Sequence, residues 1–272
     1  MALMDTTDDA LARIDTTVAH PARRYNYWLG GKDHFAADRA SGDAIAAAMP
    51  GVKLMALENR AFMGRAVRYL AEQGIRQFLD IGTGIPAPNN THEVAQDVDP
   101  STRVVYVDND PIVLTHARAL LTSAPGGTNA YIDADVREPA SILSHPDLTA
   151  TLDLSEPVGL LLVAVLHFVR EDEHPQEIID ALTDALAPGS FVVASHATWE
   201  YLPEETIAKL TANNPDGRFQ PRTGTRFAEL LSKFDLVEPG ITSVAYWHAD
   251  DVPGPRPSAE DVACYGAVAR IS

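Results

Sequence analysis

The chain has 272 residues, of which 46% are apolar, 22% charged and 7% aromatic, and this composition excludes collagen-like and disordered proteins. Its 38 acidic and 21 basic side chains give a net charge of −17, which opposes binding to the phosphates of duplex nucleic acid. The single cysteine, Cys264, excludes an internal disulfide and a cysteine-based zinc cluster, and it favours a reducing compartment.

The N-terminal part of the chain is expected to be a flexible arm followed by helices. Residues 1–20 predict an acidic arm, and residues 20–35 combine aromatic side chains, basic side chains and paired glycines in a pattern unlike a regular helix. Helices are predicted over residues 38–48 and 52–73, because apolar residues recur there at helical spacing and proline or glycine follows each segment. We interpret residues 21–73 as a helical cap.

From residue 74 onward, short apolar runs alternate with amphipathic stretches. This alternation indicates right-handed strand–helix–strand units and a parallel sheet covered on both faces. Only a proline-rich loop separates the last two strands, so we expect an antiparallel hairpin at the sheet edge. Residues 74–272 thus form the predicted α/β domain. Its predicted strands cover residues 77–81, 103–107, 130–132, 158–166, 190–194, 242–247 and 262–271, and its predicted helices cover residues 91–98, 111–122, 139–143 and 175–187.

These apolar segments do not predict a membrane protein. The longest run, residues 158–169, is well short of the ~20 residues that cross a bilayer. Asp5, Asp8 and Asp9 stand where a secretory signal would carry positive charge. We therefore expect a cytoplasmic protein without a membrane partner.

The first predicted strand ends in a glycine-rich turn. Gly82, Gly84 and Ala87 fit the GxGxx(G/A) pattern, in which glycines let the backbone approach a ligand. Asp80 precedes the turn, where its carboxylate favours a cationic group and repels a pyrophosphate. Prolines delay the next helix to about Asn90, which is too far from the glycines to hold a pyrophosphate with the helix dipole.

Acidic residues also follow the second and third predicted strands. Asp108 stands where a carboxylate accepts both ribose hydroxyls of an adenosine, and the alternative is a loop or helix-capping carboxylate beside Asp110 and Pro111. Asp135 is a candidate acceptor for an adenine amino group and is favoured over Asp133, and the alternative is a solvated turn residue.

Together, these motifs resemble a class I S-adenosylmethionine-dependent methyltransferase. Residues 21–35, 80–86 and 89–93 are similar to an S-adenosyl methyltransferase family once catalogued as a domain of unknown function. The resemblance implies a Rossmann-like, mostly parallel seven-stranded sheet, S-adenosyl-L-methionine as cofactor and S-adenosyl-L-homocysteine as product. It does not define the acceptor. The cofactor-binding residues that it implies are Asp80, Gly82, Thr83, Gly84, Asp108, Asn109, Asp135 and Val136.

The acceptor side carries weaker signals. In-line methyl transfer needs an aligned nucleophile but no dedicated base. His167, at the end of the fourth predicted strand, and His34 are the candidate catalytic residues, and the alternative for His167 is a packing role. The segment from Arg23 to Phe35 predicts a lid across the cofactor in which Tyr25, Tyr27 and Trp28 form apolar walls, and the alternative is a helical cap whose rings complete the core.

The leading hypothesis is a methyltransferase that acts on a small-molecule acceptor. A protein that binds the cofactor without turnover and an NAD-dependent oxidoreductase are the alternatives. The histidines lack HExxH spacing, so we expect no metal site. The acceptor atom and the oligomeric state stay open.

Overall fold

The computed structural model describes residues 14–113, 115 and 123–272, and three helices precede the first strand. They are α1 (Pro21–Trp28), α2 (Ala36–Ala48) and α3 (Val52–Glu72). The predictions for α2 and α3 are confirmed, whereas α1 was not expected. Proline at its first turn fits a helix start, because the ring presets φ and the missing N–H has no intrahelical partner there.

Within the described ranges, eight strands form one sheet in the order β3-β2-β1-β4-β5-β8-β6, and β7 also pairs with β8. Strands β1 to β5 are parallel, whereas β8 is antiparallel to β5, β6 and β7. The predicted α/β class is confirmed, and β6 is a two-residue strand that the sequence did not predict. The strands are β1 (Gln77–Ile81), β2 (Arg103–Asp108), β3 (Thr128–Asp133), β4 (Gly159–Leu162), β5 (Phe191–Ala197), β6 (Asp235–Leu236), β7 (Thr242–Ser243) and β8 (Cys264–Arg270).

Helices connect these strands and cover the sheet. The helices predicted at residues 91–98 and 139–143 are confirmed, and the one predicted at 175–187 ends four residues early. The helix predicted at 111–122 lies largely outside the described residues, as does most of the arm predicted at 1–20. The remaining helices are α4 (Thr91–Val98), α5 (Pro139–Leu143), α6 (Pro146–Thr151), α7 (Pro175–Thr183), α8 (Glu204–Ala212), α9 (Gly224–Leu230) and α10 (Ala259–Val262).

Two predicted strands are much shorter in the structure. The run 158–166 is a strand only over β4, because Ala164 takes a left-handed backbone with a φ of 56° and Leu166–Phe168 forms a 3-10 turn. The run 242–247 is a strand only over β7, since the backbone N–H of Tyr246 turns back to donate to the Ser243 carbonyl. Apolar residues in these runs are buried in turns, which hydrophobicity alone does not distinguish from strands.

The core lies on both faces of the sheet. On one face, α3 and α4 pack against β1 and β2 through residues such as Phe62, Leu70 and Phe78. On the other face, α5, α6, α7 and α9 cover the strands through residues such as Ile142 and Phe227. The strands therefore stay rigid while their carboxyl ends carry the loops described below. Within the described ranges, no helix is long and apolar enough to cross a membrane.

Candidate functional site

The turn after β1 needs glycine at two positions. Gly82 and Gly84 have φ angles of 74° and 70°, a region that side chains disfavour. A Cβ on Gly82 would lie 2.7 Å from Cγ2 of Val165, whereas a Cβ on Gly84 would meet nothing within 4 Å. The turn thus packs against the loop after β4 at Gly82 and leaves open space beside Gly84.

The backbone N–H groups of this turn already have protein acceptors. Those of Gly82 and Thr83 donate to the Val107 carbonyl, at 2.8 and 3.3 Å, and that of Gly84 donates to Oδ2 of Asp108 at 2.8 Å. A phosphate site needs N–H groups that point free into the site. The turn therefore suits a cofactor without a pyrophosphate.

The loop from this turn to α4 is held by side chains. The predicted pair at the start of α4 is confirmed in part, because the backbone N–H of Asn90 donates to Oε2 of Glu93 at 2.8 Å. Arg60 donates to the Ala87 carbonyl at 3.1 Å and to the Asn90 side chain at 2.9 Å. Arg60, which lies on α3, thus fixes the loop that precedes α4. Arg65, also on α3, donates instead to the carbonyls of Trp247 and Val244.

Asp80, at the end of β1, is a buried carboxylate with one close donor. The hydroxyl of Thr91 donates to Oδ2 of Asp80 at 2.6 Å, and the hydroxyl of Thr83 lies 3.5 Å away. Burial, together with the negative charge of Asp108, raises the pKa of Asp80 to about 6. No cation forms an ion pair with Asp80 among the described side chains, so a cationic ligand beside it would be stabilised.

Asp108, at the end of the neighbouring strand β2, faces the same turn. Its Oδ2 accepts from the N–H of Gly84, and its Oδ1 accepts from the N–H of Asp110 at 2.9 Å. Burial raises its pKa, although these two hydrogen bonds act in the opposite direction. Each carboxylate oxygen has two lone pairs, so both oxygens keep acceptor capacity for hydroxyl groups of a ligand.

Asp135 and Asn109 meet where the loops after β3 and β2 converge. Nδ2 of Asn109 donates to Oδ2 of Asp135 at 2.8 Å, and Arg137 contacts both oxygens of that carboxylate. Burial alone would raise the pKa of Asp135, but the hydrogen bonds from Arg137 lower it to about 2. Val136 is buried in the core. Asp135 is thus ionised and fixed, with part of its acceptor capacity used by protein donors.

A buried ion pair that the sequence did not predict joins α1 to this site. Nε and Nη2 of Arg23 bind the two oxygens of Asp110 at 2.9 and 3.0 Å, and Nδ1 of His20 lies 3.0 Å from Oδ2 of Asp110. Burial alone would raise the pKa of Asp110, but His20 and Arg23 lower it well below its usual value. The partners lie 87 positions apart, so local sequence patterns carry no signal for the pair.

The three aromatic residues predicted to form a lid are bonded to α2 and α3. The hydroxyl of Tyr25 donates to the Ala56 carbonyl at 2.9 Å, and that of Tyr27 donates to Asp43 at 2.8 Å. The indole of Trp28 donates to the Gly42 carbonyl at 3.3 Å. Burial raises the pKa of Tyr25 to about 12. Their polar atoms are thus engaged within the three N-terminal helices.

Other residues of the N-terminal segment contact the loops beside β1 and β2. Ile14, Ala22 and Phe35 pack against Ile85 and against residues that follow Asp110. The guanidinium of Arg23 lies 5.4 Å from the centre of the Phe35 ring. The apolar contacts at this edge of the sheet are therefore made by Phe35, the last residue of the predicted lid, and by Ile14 and Ala22, which precede it.

The two candidate catalytic histidines lie in different surroundings. His167 is buried, and its Nδ1 accepts a long hydrogen bond of 3.4 Å from the N–H of Ala197. Burial lowers the pKa of His167 well below its usual value, with a contribution from His196 and Arg222. His34 has both ring nitrogens near protein atoms, 3.1 Å from the Gly31 carbonyl and 3.3 Å from Arg39. Because its pKa is lowered, the ring of His167 is neutral near pH 7. Since its Nδ1 accepts from Ala197, the proton of the neutral ring is on Nε2.

Aromatic rings surround His167. The ring centres of Phe168 and Phe219 lie 4.5 and 4.9 Å from that of His167, and Trp199 lies 6.2 Å from Phe219. All three neighbouring rings are partly exposed. The carboxyl ends of β4 and β5 thus present a largely uncharged aromatic surface.

A buried arginine supports this surface from behind. Arg222 donates to the carbonyls of Leu166 and Val169 at 2.9 and 2.8 Å, to Glu171 at 2.6 Å, and lies 2.9 Å from Nε2 of His196. Burial lowers the pKa of His196 to about 4. Because its donors are occupied, Arg222 fixes the loop around His167 without presenting a free positive charge.

Cys264 is a free cysteine whose side chain is buried. Burial raises the pKa of the Cys264 thiol to about 12, so it remains protonated. Across the described parts of the chain, no group of three or more histidine, cysteine or acidic side chains is placed to hold a metal ion.

Comparisons with known proteins match nearly the whole chain. The sequence model of the family described as S-adenosyl methyltransferase matches residues 7–272. The crystal structure of a DUF574 family protein from Streptomyces avermitilis MA-4680 is 46% identical, with a TM-score of 0.88, and the match covers 96% of this chain and 100% of that one. A candidate methyltransferase from Thermobifida fusca YX is 40% identical, with a TM-score of 0.86, covering 94% and 96%. No curated protein matches the chain.

Proposed function

This chain belongs to the S-adenosyl methyltransferase family, and we propose that it transfers a methyl group to a small-molecule acceptor at the carboxyl ends of β1, β2, β4 and β5. Its cofactor is S-adenosylmethionine, which supplies an electrophilic methyl group on a sulfonium ion. The observation that carries the assignment of the site is the pair of buried strand-end carboxylates, Asp80 and Asp108, beside a turn whose N–H groups are already bonded.

The proposed cofactor contacts follow from the surroundings of each side chain. Asp108 would accept the ribose hydroxyls with its remaining lone pairs, and Asp80 would stabilise the cationic methionine end across Gly82, Thr83 and Gly84. On the far side, Asn109, Asp135 and Val136 would contact the adenine. These residues bind and orient without a proton transfer, and this is sufficient for an in-line displacement.

The proposed acceptor site is the aromatic surface around His167. Small-molecule sites are concave and mostly apolar, with a few placed polar groups, and this surface combines partly exposed rings with one neutral imidazole. Because Nδ1 of His167 accepts from Ala197, its protonated Nε2 would donate to the acceptor and hold it in line. His34 and the rings of Tyr25, Tyr27 and Trp28 stay candidates for contacts from the N-terminal cap, residues 21–73.

A labelled-methyl experiment tests the small-molecule proposal. The purified protein is incubated with methyl-labelled S-adenosylmethionine and a cell extract, and the product is separated by ultrafiltration. Chromatography of the filtrate separates the unreacted S-adenosylmethionine from a labelled product. We expect such a product only when the protein is present, because the net charge of −17 opposes nucleic-acid phosphates and the acceptor surface is aromatic. Label found only in precipitated protein or nucleic acid would contradict the proposal. Fractionation of a cell lysate tests the proposed cytoplasmic location.

The state of Asp80 predicts how cofactor affinity changes with pH. Its pKa of about 6 means that the carboxylate ionises as the pH rises from 5 to 7. S-adenosylhomocysteine lacks the sulfonium but keeps the α-ammonium group of the amino-acid end. If only the ionised form of Asp80 binds this ammonium, the affinity for S-adenosylhomocysteine rises by up to about tenfold over this range. Calorimetric titrations at pH 5, 6 and 7 measure this rise.

The variant Asp80→Asn is the control for this pH dependence. It removes the titrating group while keeping the shape of the side chain, so its affinity is expected to be lower at pH 7 and to change little between pH 5 and 7. A second variant, Thr91→Val, removes the 2.6 Å hydrogen bond that lowers the pKa of Asp80, and it should move the midpoint to higher pH. If Asp80→Asn kept the pH dependence of the wild type, Asp80 would not be the group involved.

A further inference from the structure

The N-terminal segment, residues 14–35, is fastened to the turn that follows β2. Arg23 and Asp110 form a two-point ion pair, with relative side-chain exposures of 4% and 0%. The third guanidinium nitrogen of Arg23, Nη1, donates to the Asp15 carbonyl at 2.8 Å. A bidentate pair between a guanidinium and a carboxylate fixes both the orientation of the two groups and the distance between them. The side chain of Arg23 thus binds Asp110, outside the segment, and also Asp15, near the start of the segment.

The same turn sets the geometry of Asp108. The N–H of Asp110 donates to Oδ1 of Asp108 at 2.9 Å, while Oδ1 of Asp110 accepts from the N–H of Ile112 at 3.0 Å. Arg23 therefore acts on the proposed ribose acceptor through one intervening residue. His20 reaches this group from the side of the segment, and its positive form would lower the pKa of Asp108.

Apolar contacts extend this fastening across the loop after β1. Ala22 and Phe35 pack in one cluster with Ile85 and Ile112. Asp38 joins His20 to Phe35, the last residue of the segment, by accepting from their N–H groups, each at 2.8 Å. Asp38 is fully buried. The segment thus lies over the two loops that carry Gly84 and Asp108, and it forms a wall on that side of the proposed nucleoside position.

We propose that residues 14–35 are part of the cofactor site, with Arg23 as a positioning residue that sets Asp108 through Asp110 and with His20 lining the ribose side. This inference rests on the proposed placement of the cofactor at Asp108. The segment and the cofactor then stabilise each other. Such coupling is reciprocal. A bound cofactor must therefore shift the equilibrium of the segment towards its closed form by the same factor by which the closed segment raises the affinity for the cofactor.

Hydrogen–deuterium exchange measures this coupling in the wild-type protein. We expect S-adenosylhomocysteine to slow the exchange of peptides that cover residues 14–35, because opening of the segment would cost the bound ligand its contacts. Peptides from α9 serve as the internal reference, because Phe227 and Leu230 of α9 pack in a different apolar cluster from the residues of the segment. A merely structural Arg23–Asp110 pair would leave the exchange of residues 14–35 unchanged by the ligand.

Variants of Arg23 test whether the contacts of the segment affect the affinity for the cofactor. Arg23→Met is expected to weaken the binding of S-adenosylhomocysteine by about tenfold or more. Arg23→Lys should weaken it less, because lysine keeps the positive charge but cannot bind both oxygens of Asp110 as a guanidinium does. Arg68→Met is the matched control, since Arg68 pairs with Asp97 on the exposed surface at 2.9 Å. We expect the affinity of this control to equal that of the wild type.

The outcomes separate this inference from the proposed function. If Arg23→Met does not fold, the double variant Arg23→Met/Asp110→Asn, which leaves no buried unpaired charge, carries the same expectation. Wild-type affinity in the folded Arg23 variants, or ligand-independent exchange of residues 14–35, overturns the inference while leaving the cofactor site intact. If the wild-type protein itself does not bind S-adenosylhomocysteine, the proposed cofactor site fails and the inference fails with it.

Discussion

Asp108→Ala is expected to weaken the binding of S-adenosylhomocysteine by roughly 10- to 160-fold, equivalent to about 1.5–3 kcal/mol. The variant removes both carboxylate oxygens that would accept the ribose hydroxyls, and it leaves the N–H groups of Gly84 and Asp110 without their acceptors. Isothermal titration calorimetry, performed well below the melting temperature of the variant, measures the loss.

Asp133→Ala is the matched control for this prediction. Asp133 is the register partner of Asp108 on the neighbouring strand β3, and it is also a strand-end carboxylate, but it is exposed. Its removal changes the net charge by the same amount, and we expect less than about a twofold change in affinity because exposed charges interact weakly. Equal losses in the two variants would mean that the overall charge, rather than the position of Asp108, governs binding.

Arg222→Ala is expected to have the largest effect on stability, a loss of about 3–5 kcal/mol in the free energy of unfolding, because it removes a large buried side chain and the donors that it gives to buried carbonyls. The buried guanidinium satisfies the carbonyls of Leu166 and Val169 and pairs with Glu171. Its removal takes the side-chain donor from the buried Val169 carbonyl and one of two donors from the Leu166 carbonyl, which keeps the N–H of Val169. Glu171 is half exposed and keeps its pair with Arg226. For a chain of this size, thermal unfolding should show a decrease in melting temperature of roughly 6–20 °C.

The control is Arg226→Ala, because Arg226 binds the same carboxylate of Glu171 at 3.0 Å while its side chain is 34% exposed. Pairs in contact with water contribute about 0–1 kcal/mol, so this variant should unfold near the wild-type temperature. If both variants lost the same stability, the ion pair with Glu171 would be the stabilising contact, and the buried carbonyls would contribute little.

Local patterns in the sequence were sufficient for the central part of the fold. Strand β1 and helix α4 have the predicted bounds, because an uninterrupted apolar run and a capped amphipathic run are local signals. The predicted family, fold class and cofactor are confirmed as well. The strand-end acids were identifiable because the carboxyl ends of parallel strands meet at one edge of a sheet. Their individual roles stay predictions.

The remaining features depend on contacts between distant residues. Arg23 and Asp110 are 87 positions apart, and Arg222 and Leu166 are 56 apart, so no periodicity links them. Helices α8 and α9 were not predicted, since both are short and contribute few buried residues, Leu210 from α8 and Phe227 and Leu230 from α9, which is too few for a periodic apolar pattern. The pKa of His167 was likewise not predictable, because burial determines it and the sequence does not specify burial at a single position.

A crystal structure of the protein with bound S-adenosylhomocysteine would locate the cofactor. We expect the ribose hydroxyls to lie within hydrogen-bond distance of the Asp108 carboxylate, with Gly84 beside the ligand and residues 14–35 closed over it. A ligand bound elsewhere, or one in the site with its ribose away from Asp108, would contradict the account.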